Sequence, residues 1–377
     1  MRIAIIHYWL LNMRGGERVI EELCRLFPSA DIYTHVVNYD RISDTIKRHR
    51  IQTTSIAGLP MARRYYQRYL GFMPRALENI DLSGYDLVLS SEAGPAKGVI
   101  PPPGAKHICY CHSPMRYIWD QRHIYEDRMP PLTRTVFRHV AHHLRIWDVT
   151  TAMRVDEFIA NSAFVAERIR RYYGRSSTVV HPPVDVGRFQ VSSARGDYYL
   201  YLGQLVPYKR ADLIVEAFRE LDRPVLIVGE GEELKRLRSK APPHVRFHGR
   251  AEANELAQIY ANCRALLFPS EEDFGIVPVE AMASGKPVIA YGRGGVRETV
   301  VDGQTGLFFD QQDPASLRNA VQRFEAREAE FSPMIIRRSA ERFTADAFRT
   351  GVMRVVDEVL ARSPAVTKEP PKLRQIM

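Results

Sequence analysis

Short apolar runs alternate with amphipathic runs along the whole chain. In the first half, five apolar runs predict buried strands: IAIIH, DIYTHVV, YDLVLSS, HICYCHS and EFIANS. The run GERVIEELCRLF predicts a helix, because its apolar side chains fall on one stripe of Val19, Ile20, Leu23 and Phe27. A second helix, AFVAERIRRYYG, is predicted to end at Gly174. Strands that alternate with helices indicate βα units and a parallel sheet.

The same alternation starts again after a proline pair. VVHPPVDVGRF carries Pro182 and Pro183, which interrupt both helix and strand, so we interpret it as an interdomain linker. Six further strand candidates follow: YYLYLGQL, PVLIVGEG, HVRFHGR, RALLFPS, KPVIAYG and TGLFFD. The pattern predicts an α/β protein of two doubly wound, Rossmann-like domains, 1–183 and 184–344, facing across a cleft. Two helices broken near Thr344 come next, and the Pro- and charge-rich tail, 362–377, is predicted to be disordered.

Composition agrees with a globular protein of two domains. The 377 residues are 45% hydrophobic and 26% charged, enough for a full core. The net charge of +9 favours acidic partners, such as phosphorylated substrates or anionic lipid. Nucleic acid is not favoured, because the positive charge is scattered and no recognition motif stands out. No run approaches the roughly 20 apolar residues that span a bilayer, and no signal peptide is evident, so we expect a soluble or peripheral protein.

The four cysteines predict reduced, buried thiols of a cytosolic protein. Cys109 and Cys111, with His112 beside them, could suggest a metal site. No second ligand pair stands at zinc-like spacing, so we expect no metal. As a residue leaving a strand, His112 could instead contact a sugar hydroxyl or be purely structural.

The run EEDFGIVPVEAMASGKPVIAYGRGG is the most informative stretch. It places seven residues between Glu272 and Glu280, directly after the strand RALLFPS. Ligands of parallel sheets sit at the carboxyl ends of strands, where Glu272 lies. The backbone N–H groups around Phe274 and Gly275 point out of a predicted helix N-terminus, where anions bind. Two acids beside an anion site suit a ligand with hydroxyls and phosphates, such as a nucleotide sugar.

Two cations precede another predicted helix. In YLGQLVPYKRADLIVEAF, Lys209 and Arg210 stand at the helix N-terminus, where basic residues are disfavoured unless they bind an anion such as a diphosphate. The alternative is that they only meet solvent. Gly15 and Gly16, in NMRGGERV, either let a backbone approach a ligand or form a tight turn. IVGEGEEL has Leu234 where a dinucleotide fingerprint needs its third glycine.

A basic aromatic segment spans residues 61–78, MARRYYQRYLGFMPRALE. It interleaves four arginines with tyrosines and phenylalanine. As a helix it suits the interface of an anionic membrane. The alternative is an ordinary amphipathic helix with its aromatic side chains on the core and its arginines in water.

Together these motifs resemble family 4 of the retaining glycosyltransferases, whose GT-B fold has two facing Rossmann-like domains. The resemblance runs through MRGGERV, YCHSP, FIANS, GQLVPYKR, VRFHGR and the EEDFGIVPVEAMASGKPVIA block. YWLLNMRGGERV and YCHSPMRYIWD look most like bacterial GDP-mannose-dependent mannosyltransferases of surface-polysaccharide and O-antigen assembly. The resemblance implies that 1–183 binds the acceptor, that 184–344 binds the donor, and that the last helix, about 345–361, packs back on the first domain.

The resemblance also implies roles for the acids and the histidine. Glu272, with the backbone at Phe274 and Gly275, would hold the hydroxyls of the donor sugar. Glu280 would hold the ribose hydroxyls of the nucleotide. His112 would contact the donor sugar beside the reacting carbon.

The remaining implied contacts concern the diphosphate. Lys209, together with Arg210, would neutralise the leaving group, and Gly16 would pack against it from the other domain. Many relatives carry arginine where this chain has Gln204, which removes one cation, and Arg210 is expected to compensate. The implied donor site also includes Gly15, Gln204 and Ile276.

The implied activity is a retaining transfer that uses no metal and no cofactor. The expected reaction moves a hexose, mannose from GDP-mannose, onto a polyprenyl-diphosphate-linked oligosaccharide at the inner face of the cytoplasmic membrane. The alternatives are transfer from another UDP or GDP sugar, a nucleotide-sugar epimerase, or a non-catalytic nucleotide-binding scaffold. A glycan phosphorylase would need a pyridoxal-bearing lysine, for which the sequence offers no context. A scaffold would have no need of Lys209 and both acids.

Overall fold

The computed structural model of the protein describes residues 1–127, 129–194 and 196–362. Apart from Arg362, the tail predicted to be disordered lies outside these residues. Within them the strands are β1 (Ile3–His7), β2 (Asp31–Thr34), β3 (Ile51–Thr53), β4 (Leu87–Glu92), β5 (Lys106–Cys111), β6 (Glu157–Ala160), β7 (Thr178–Val179), β8 (Tyr198–Leu202), β9 (Val225–Val228), β10 (Val245–Gly249), β11 (Cys263–Phe268), β12 (Val288–Tyr291) and β13 (Gly306–Phe309). The helices are α1 (Gly15–Leu26), α2 (Asp44–Lys47), α3 (Ala62–Tyr65), α4 (Met73–Glu78), α5 (Arg122–Glu126), α6 (Pro131–Ala152), α7 (Ala163–Tyr173), α8 (Ala211–Ala217), α9 (Leu234–Lys240), α10 (Ala253–Ala261), α11 (Ile276–Ala283), α12 (Val296–Thr299), α13 (Pro314–Arg327), α14 (Pro333–Ala340) and α15 (Ala345–Ala361).

The strands form two parallel sheets, which confirms the predicted pair of doubly wound Rossmann-like α/β domains. The first sheet has the order β3-β2-β1-β4-β5-β6-β7, and the second has the order β10-β9-β8-β11-β12-β13. In each sheet the direction of winding reverses next to the first strand, between β1 and β4 or between β8 and β11. Such a switch point leaves a crevice at the carboxyl ends of the two strands, where ligands of this architecture bind.

The chain passes between the two domains near the proline pair and again before the last helix. Val180 belongs to the apolar core of the first sheet, whereas Val184 belongs to the core of the second. The last helix, α15, returns to the first sheet, because Phe348 and Val352 share a core cluster with Ile5 of β1. The first domain is therefore built from both ends of the described chain.

The local predictions succeed where a sequence signal is strong. The helix α7 ends at Gly174, whose φ of +64° is a conformation that favours glycine. The break near Thr344 is also confirmed, since its side chain caps α15 by accepting a hydrogen bond from the Ala347 N–H. The sequence missed β3 and β7, because three and two residues are too short to show a period.

The segment 61–78 is not one helix, so that prediction is wrong. It divides into α3, a 3₁₀ helix at Tyr66–Phe72, and α4. Met61, before α3, has a φ of +49°, and Pro74 disfavours a continuous helix through the residue before it. In the described part of the chain, no helix combines the length and the apolar character needed to cross a membrane.

Candidate active site

The switch point of the second domain carries an ion pair. Lys209 follows β8 and Glu272 follows β11, and because these strands are parallel neighbours their carboxyl ends meet. The Lys209 ammonium pairs with Glu272 Oε1, and the Ser270 hydroxyl donates to the same oxygen at 2.9 Å. Each charged side chain is only about one fifth exposed, at 19% and 18%. The structure thus brings together two of the predicted site residues.

The surroundings of Glu272 keep its carboxylate ionised. Burial by itself raises the pKa of Glu272, but the Lys209 charge and the hydrogen bonds from Lys209 and Ser270 outweigh it. The net effect is a pKa below the ordinary value of a glutamate. At neutral pH the carboxylate is therefore an acceptor only, which suits contact with hydroxyl donors.

The N-terminus of α11 lies directly after this acid. Gly275 caps the helix with a φ of +90°, a left-handed conformation that strains other residues. The first-turn N–H groups of Ile276 and Val277 have no acceptor within the helix, and Pro278 has no N–H at all. The Phe274 side chain is buried in the core, so its backbone is the part that a ligand could reach.

The second acid lies one turn further along α11. The Tyr260 hydroxyl donates to Glu280 Oε2 at 2.8 Å. Burial raises the pKa of Glu280, and the Tyr260 hydrogen bond and the nearby Arg188 and Arg18 charges offset this only in part. Arg18 belongs to α1 of the first domain, so Glu280 lies near the boundary between the domains.

The glycine pair of the first domain is a point of close approach. A Cβ on Gly15 would lie 2.8 Å from Ile276 Cδ1, across the cleft, and a Cβ on Gly16 would lie 2.4 Å from the Tyr8 hydroxyl. A larger side chain at either position would require Ile276 or Tyr8 to move. This loop therefore brings the first domain against the N-terminus of α11.

Two other residues predicted to contact the diphosphate, Arg210 and Gln204, have partners other than Glu272. The Arg210 guanidinium bonds to Asp212 at 3.1 Å and to Gln312 at 3.0 Å, so its charge is engaged within its own domain. Gln204 is exposed, and its backbone carbonyl accepts from the Tyr201 hydroxyl at 3.2 Å.

His112 lies at the carboxyl end of β5, beside the switch point of the first domain. Its Nε2 is 2.8 Å from the Ser91 hydroxyl, and its backbone N–H donates to the Glu92 carbonyl at 2.7 Å. Burial lowers the pKa of His112 to about 4, so the imidazole is neutral at pH 7. The nearby thiols of Cys109 and Cys111 are free and buried. The described residues contain no group of three side chains suited to hold a metal ion.

Sequence reasoning missed the contacts that join the two domains. Asp273, between the two predicted contact residues Glu272 and Phe274, pairs with Arg116 and with Arg168 of the first domain. The Arg168 bond to Asp273 is 2.8 Å. Arg116 lies in the YCHSPMRYIWD motif, but no spacing rule could pair it with an acid from another domain.

A second acid also bridges the domains. Glu298 accepts hydrogen bonds from the N–H groups of Ala163 and Phe164 at 2.8 and 3.1 Å, which are orphan donors at the start of α7. His181 lies 3.2 Å from the same carboxylate. Burial raises the pKa of Glu298, but the bonds from His181 and α7 more than compensate, so the net pKa is lowered.

Known relatives and structures agree with this architecture. An uncharacterized glycosyltransferase of Methanocaldococcus jannaschii is 30% identical over 173 residues, 44% of this chain and 48% of the relative. A GDP-mannose-dependent alpha-(1-6)-phosphatidylinositol monomannoside mannosyltransferase of Mycolicibacterium smegmatis is 32% identical over 225 residues, 51% and 56% of the two chains. The chain spans about half the length of the curated relatives it matches.

Solved structures share the fold at low sequence identity. A sucrose-phosphate synthase from Thermosynechococcus elongatus superposes with a TM-score of 0.72 at 19% identity, covering 96% of this chain and 100% of its own. Anabaena HepE in complex with UDP-glucose gives a TM-score of 0.68 at 16% identity, covering 95% and 100%.

Family profiles divide the chain in the same way as its sheets. The profile described as Glycosyltransferase Family 4 matches residues 13–188, and the profile described as Glycosyl transferases group 1 matches residues 188–342. Both halves of a two-domain glycosyltransferase are thus present. The protein belongs to the family 4 glycosyltransferases of the GT-B fold.

Proposed function

We propose that the protein transfers a hexose from a nucleotide sugar to an acceptor hydroxyl with retention of anomeric configuration. The observation that carries this proposal is the meeting of Lys209, Glu272 and the N-terminus of α11 at one switch point. An ammonium group and free helix N–H groups can bind a diphosphate, and an ionised carboxylate beside them can accept hydrogen bonds from sugar hydroxyls. Glu280, further along α11, would bind the ribose.

The proposed chemistry is electrostatic. As the diphosphate leaves, negative charge grows on its oxygens and the sugar becomes oxocarbenium-like. Lys209 and the α11 dipole stabilise the growing charge without reorganising at the moment of reaction. The acceptor hydroxyl attacks from the face that the diphosphate leaves, and a phosphate oxygen takes its proton.

For the donor we propose GDP-mannose. The M. smegmatis relative is named for that donor and is 32% identical over 225 residues, 51% of this chain. The alternative is another UDP or GDP sugar, since the HepE structure of the same fold holds UDP-glucose. Because the fold does not determine the base, the choice needs measurement.

A thermal-shift screen separates these donors. A ligand that binds only the native state raises the melting temperature by mass action, so the true donor should exceed its competitors. The screen would compare GDP-mannose, GDP, UDP-glucose and UDP at equal concentrations. We expect GDP-mannose to give the largest shift, and a larger shift from UDP-glucose would overturn the choice of donor.

An epimerase is the second enzyme class on the same fold. It needs no acceptor, so it would convert the donor sugar when incubated alone. We expect GDP-mannose to stay intact without an acceptor, apart from slow hydrolysis, when products are separated by chromatography. Rapid formation of a second nucleotide sugar would favour the epimerase.

The acceptor we propose is a polyprenyl-diphosphate-linked oligosaccharide of bacterial surface-polysaccharide synthesis. Such a substrate lies at a membrane, and the segment 61–78 offers a matching surface. Its four arginines, Arg63, Arg64, Arg68 and Arg75, are exposed, and Arg64 and Arg68 lie over the ring of Tyr65. Phe72, in the same segment, is 66% exposed. Exposed cations and an aromatic side chain suit the interface of an anionic membrane.

Vesicle sedimentation tests this surface. We expect binding to vesicles of phosphatidylcholine with phosphatidylglycerol, little binding to phosphatidylcholine alone, and loss of binding at high salt. The variant Arg64→Glu/Arg68→Glu should lose at least about tenfold in affinity, since each cation near the surface contributes about 1 kcal/mol. Arg246→Glu/Arg250→Glu makes the same charge change on exposed residues of the second domain and should bind normally. Equal loss in both variants would contradict a specific surface.

A further inference from the structure

A chain of hydrogen bonds crosses the switch point of the first domain. His7 ends β1, Ser91 lies opposite it on β4, and His112 follows β5, the next strand. The Ser91 hydroxyl lies 3.2 Å from His7 Nδ1 and 2.8 Å from His112 Nε2. The parallel register therefore places one hydroxyl between two imidazoles.

This arrangement couples the tautomers of the two histidines. Burial lowers the pKa of both imidazoles, that of His112 to about 4, so neither is charged at pH 7. A neutral imidazole has one N–H and one acceptor nitrogen, and a serine has a single hydroxyl proton. A serine oxygen can also accept from two donors, but Ser91 Oγ contacts no third polar group among the described residues that could take its proton. Ser91 therefore donates to one histidine and accepts from the other, which leaves two consistent arrangements of the protons.

The far nitrogen of His7 decides between them. His7 is fully buried, and its Nε2 has no hydrogen-bond partner among the described residues. If Ser91 donated to His7, this nitrogen would carry a buried N–H without an acceptor, which is the rarer and costlier kind of orphan. The other arrangement leaves only a lone pair unpaired. In it, His7 Nδ1–H donates to Ser91, and Ser91 donates to His112 Nε2.

We propose that Ser91 and His7 are positioning residues that hold His112 in its Nδ1–H tautomer, so that it presents a neutral N–H donor to the cleft. Among the described residues, the side chain of His112 makes one hydrogen bond, through Nε2 to Ser91, so its Nδ1 has no partner there. The group it would meet is an oxygen of the donor sugar, so this inference rests on the proposed function. A fixed N–H donor binds a hydroxyl or developing oxyanion without adding charge beside the sugar.

The tautomer itself can be measured without any activity assay. In protein labelled with ¹⁵N-histidine, long-range proton–nitrogen correlations distinguish a protonated Nδ1 from a protonated Nε2. We expect the His112 signals, assigned by their loss in His112→Ala, to show Nδ1–H in the wild type and a changed pattern in Ser91→Ala. An Nε2–H tautomer in the wild type would overturn the proposal.

Kinetics provide the second readout. Because Ser91→Ala frees His112 to rotate and to change tautomer, we expect kcat to fall about 10- to 100-fold, with the donor KM within about threefold. The matched control is Ser90→Ala, which removes a 2.8 Å hydroxyl–imidazole contact to His107, on the other side of the same strand. We expect Ser90→Ala to retain kcat. An equal fall of kcat in both variants would indicate a structural effect and overturn the proposal.

The His7 variants and His112→Ala complete the set. His7→Asn keeps an N–H donor for Ser91 and should retain more activity than His7→Leu, which has none. If His112→Ala transfers at the wild-type rate, the contact of His112 with the donor sugar fails and this inference with it, whereas the transfer proposed at Lys209 and Glu272 stands. If His112→Ala is impaired while Ser91→Ala is normal, only the positioning role of Ser91 and His7 fails.

Discussion

The two switch points of the protein have the same topology and opposite chemistry. In the second domain an ammonium and a carboxylate meet, Lys209 and Glu272, beside a helix N-terminus. In the first domain two neutral imidazoles share the hydroxyl of Ser91. The strand order makes both points candidate ligand sites, but only the side chains decide what each can stabilise. In the proposed reaction the leaving diphosphate and the sugar hydroxyls use the charged groups of the second domain, whereas the imidazoles of the first domain add no charge beside the sugar.

The largest effect is expected at the switch point of the second domain, which we call the charged point because Lys209 and Glu272 meet there. Glu272→Ala removes the acceptor for the sugar hydroxyls, so transfer should fall by at least about 10³-fold while nucleotide affinity stays near the wild-type value. Initial rates and calorimetric titration with the nucleoside diphosphate measure the two quantities. Glu271→Ala, which removes the adjacent carboxylate, should be active. Loss of nucleotide binding alone in Glu272→Ala would mean that the roles of Glu272 and Glu280 are exchanged.

Lys209→Ala tests the leaving-group role at the same point. It should cost at least about 3 kcal/mol of transition-state stabilisation, a fall in kcat/KM of at least about 10²-fold. Lys235→Ala removes an exposed lysine of α9 and should leave the rate unchanged. Turnover near the wild-type value in Lys209→Ala would remove the charged point from the proposed chemistry.

Asp273→Asn tests how the two points are held together. It removes the carboxylate that Arg116 and Arg168 share at the boundary of the domains, although Arg168 keeps its pair with Asp120. We expect a loss of about 2 kcal/mol in the free energy of unfolding. Urea denaturation measures this loss. Asp222→Asn, at an exposed carboxylate, is the control. Unchanged stability would show that the interdomain pairs contribute little.

As the pH falls, the two switch points are expected to lose their contributions to the free energy of unfolding in different pH ranges. A histidine whose native pKa is lowered to about 4 takes up its proton in the unfolded chain near 6.5, so stability falls as the pH drops from 6.5 toward 4. The native pKa of Glu272 is lowered, so the stability that its carboxylate contributes is lost only as the pH falls below about 4.5. Each neutral histidine should contribute about 1.4 kcal/mol per pH unit.

The variant His112→Gln removes one of the histidines that take up a proton on unfolding. The slope of its unfolding free energy against pH, between about 6.5 and 4.5, should be shallower than in the wild type by that amount. Urea denaturation at several pH values supplies the slopes. An unchanged slope would show that His112 titrates alike in the folded and unfolded chains.

The smallest effect is expected at Arg210. Its charge is engaged by Asp212 and Gln312, so Arg210→Ala should lower kcat/KM by less than about threefold, as for a partly exposed ion pair. Steady-state kinetics beside Lys209→Ala would measure the contrast. A loss as large as that of Lys209→Ala would place Arg210 on the diphosphate and restore the role that the sequence suggested.

The sequence predicted what is local and periodic. It located the six strands that the structure shows in the second domain, because each run is either apolar or alternating and is bounded by turn residues. It also singled out Glu272 and Lys209, since strand ends and helix starts can be read along one chain. It missed Asp273 with Arg116 and the Ser91 bridge, because their partners come from elements distant in sequence. Only the register of the sheet and the packing of the domains bring those groups together.

The two crossings between the domains have a consequence for motion. The crossings lie side by side, because the Val184 N–H donates to the Phe343 carbonyl at 2.8 Å. Gly351 of α15 packs on Val180, where an added Cβ would lie 2.8 Å from the valine side chain. Two adjacent connections tether the lobes at one place, so we expect any relative motion of the lobes to be a rotation about these connections.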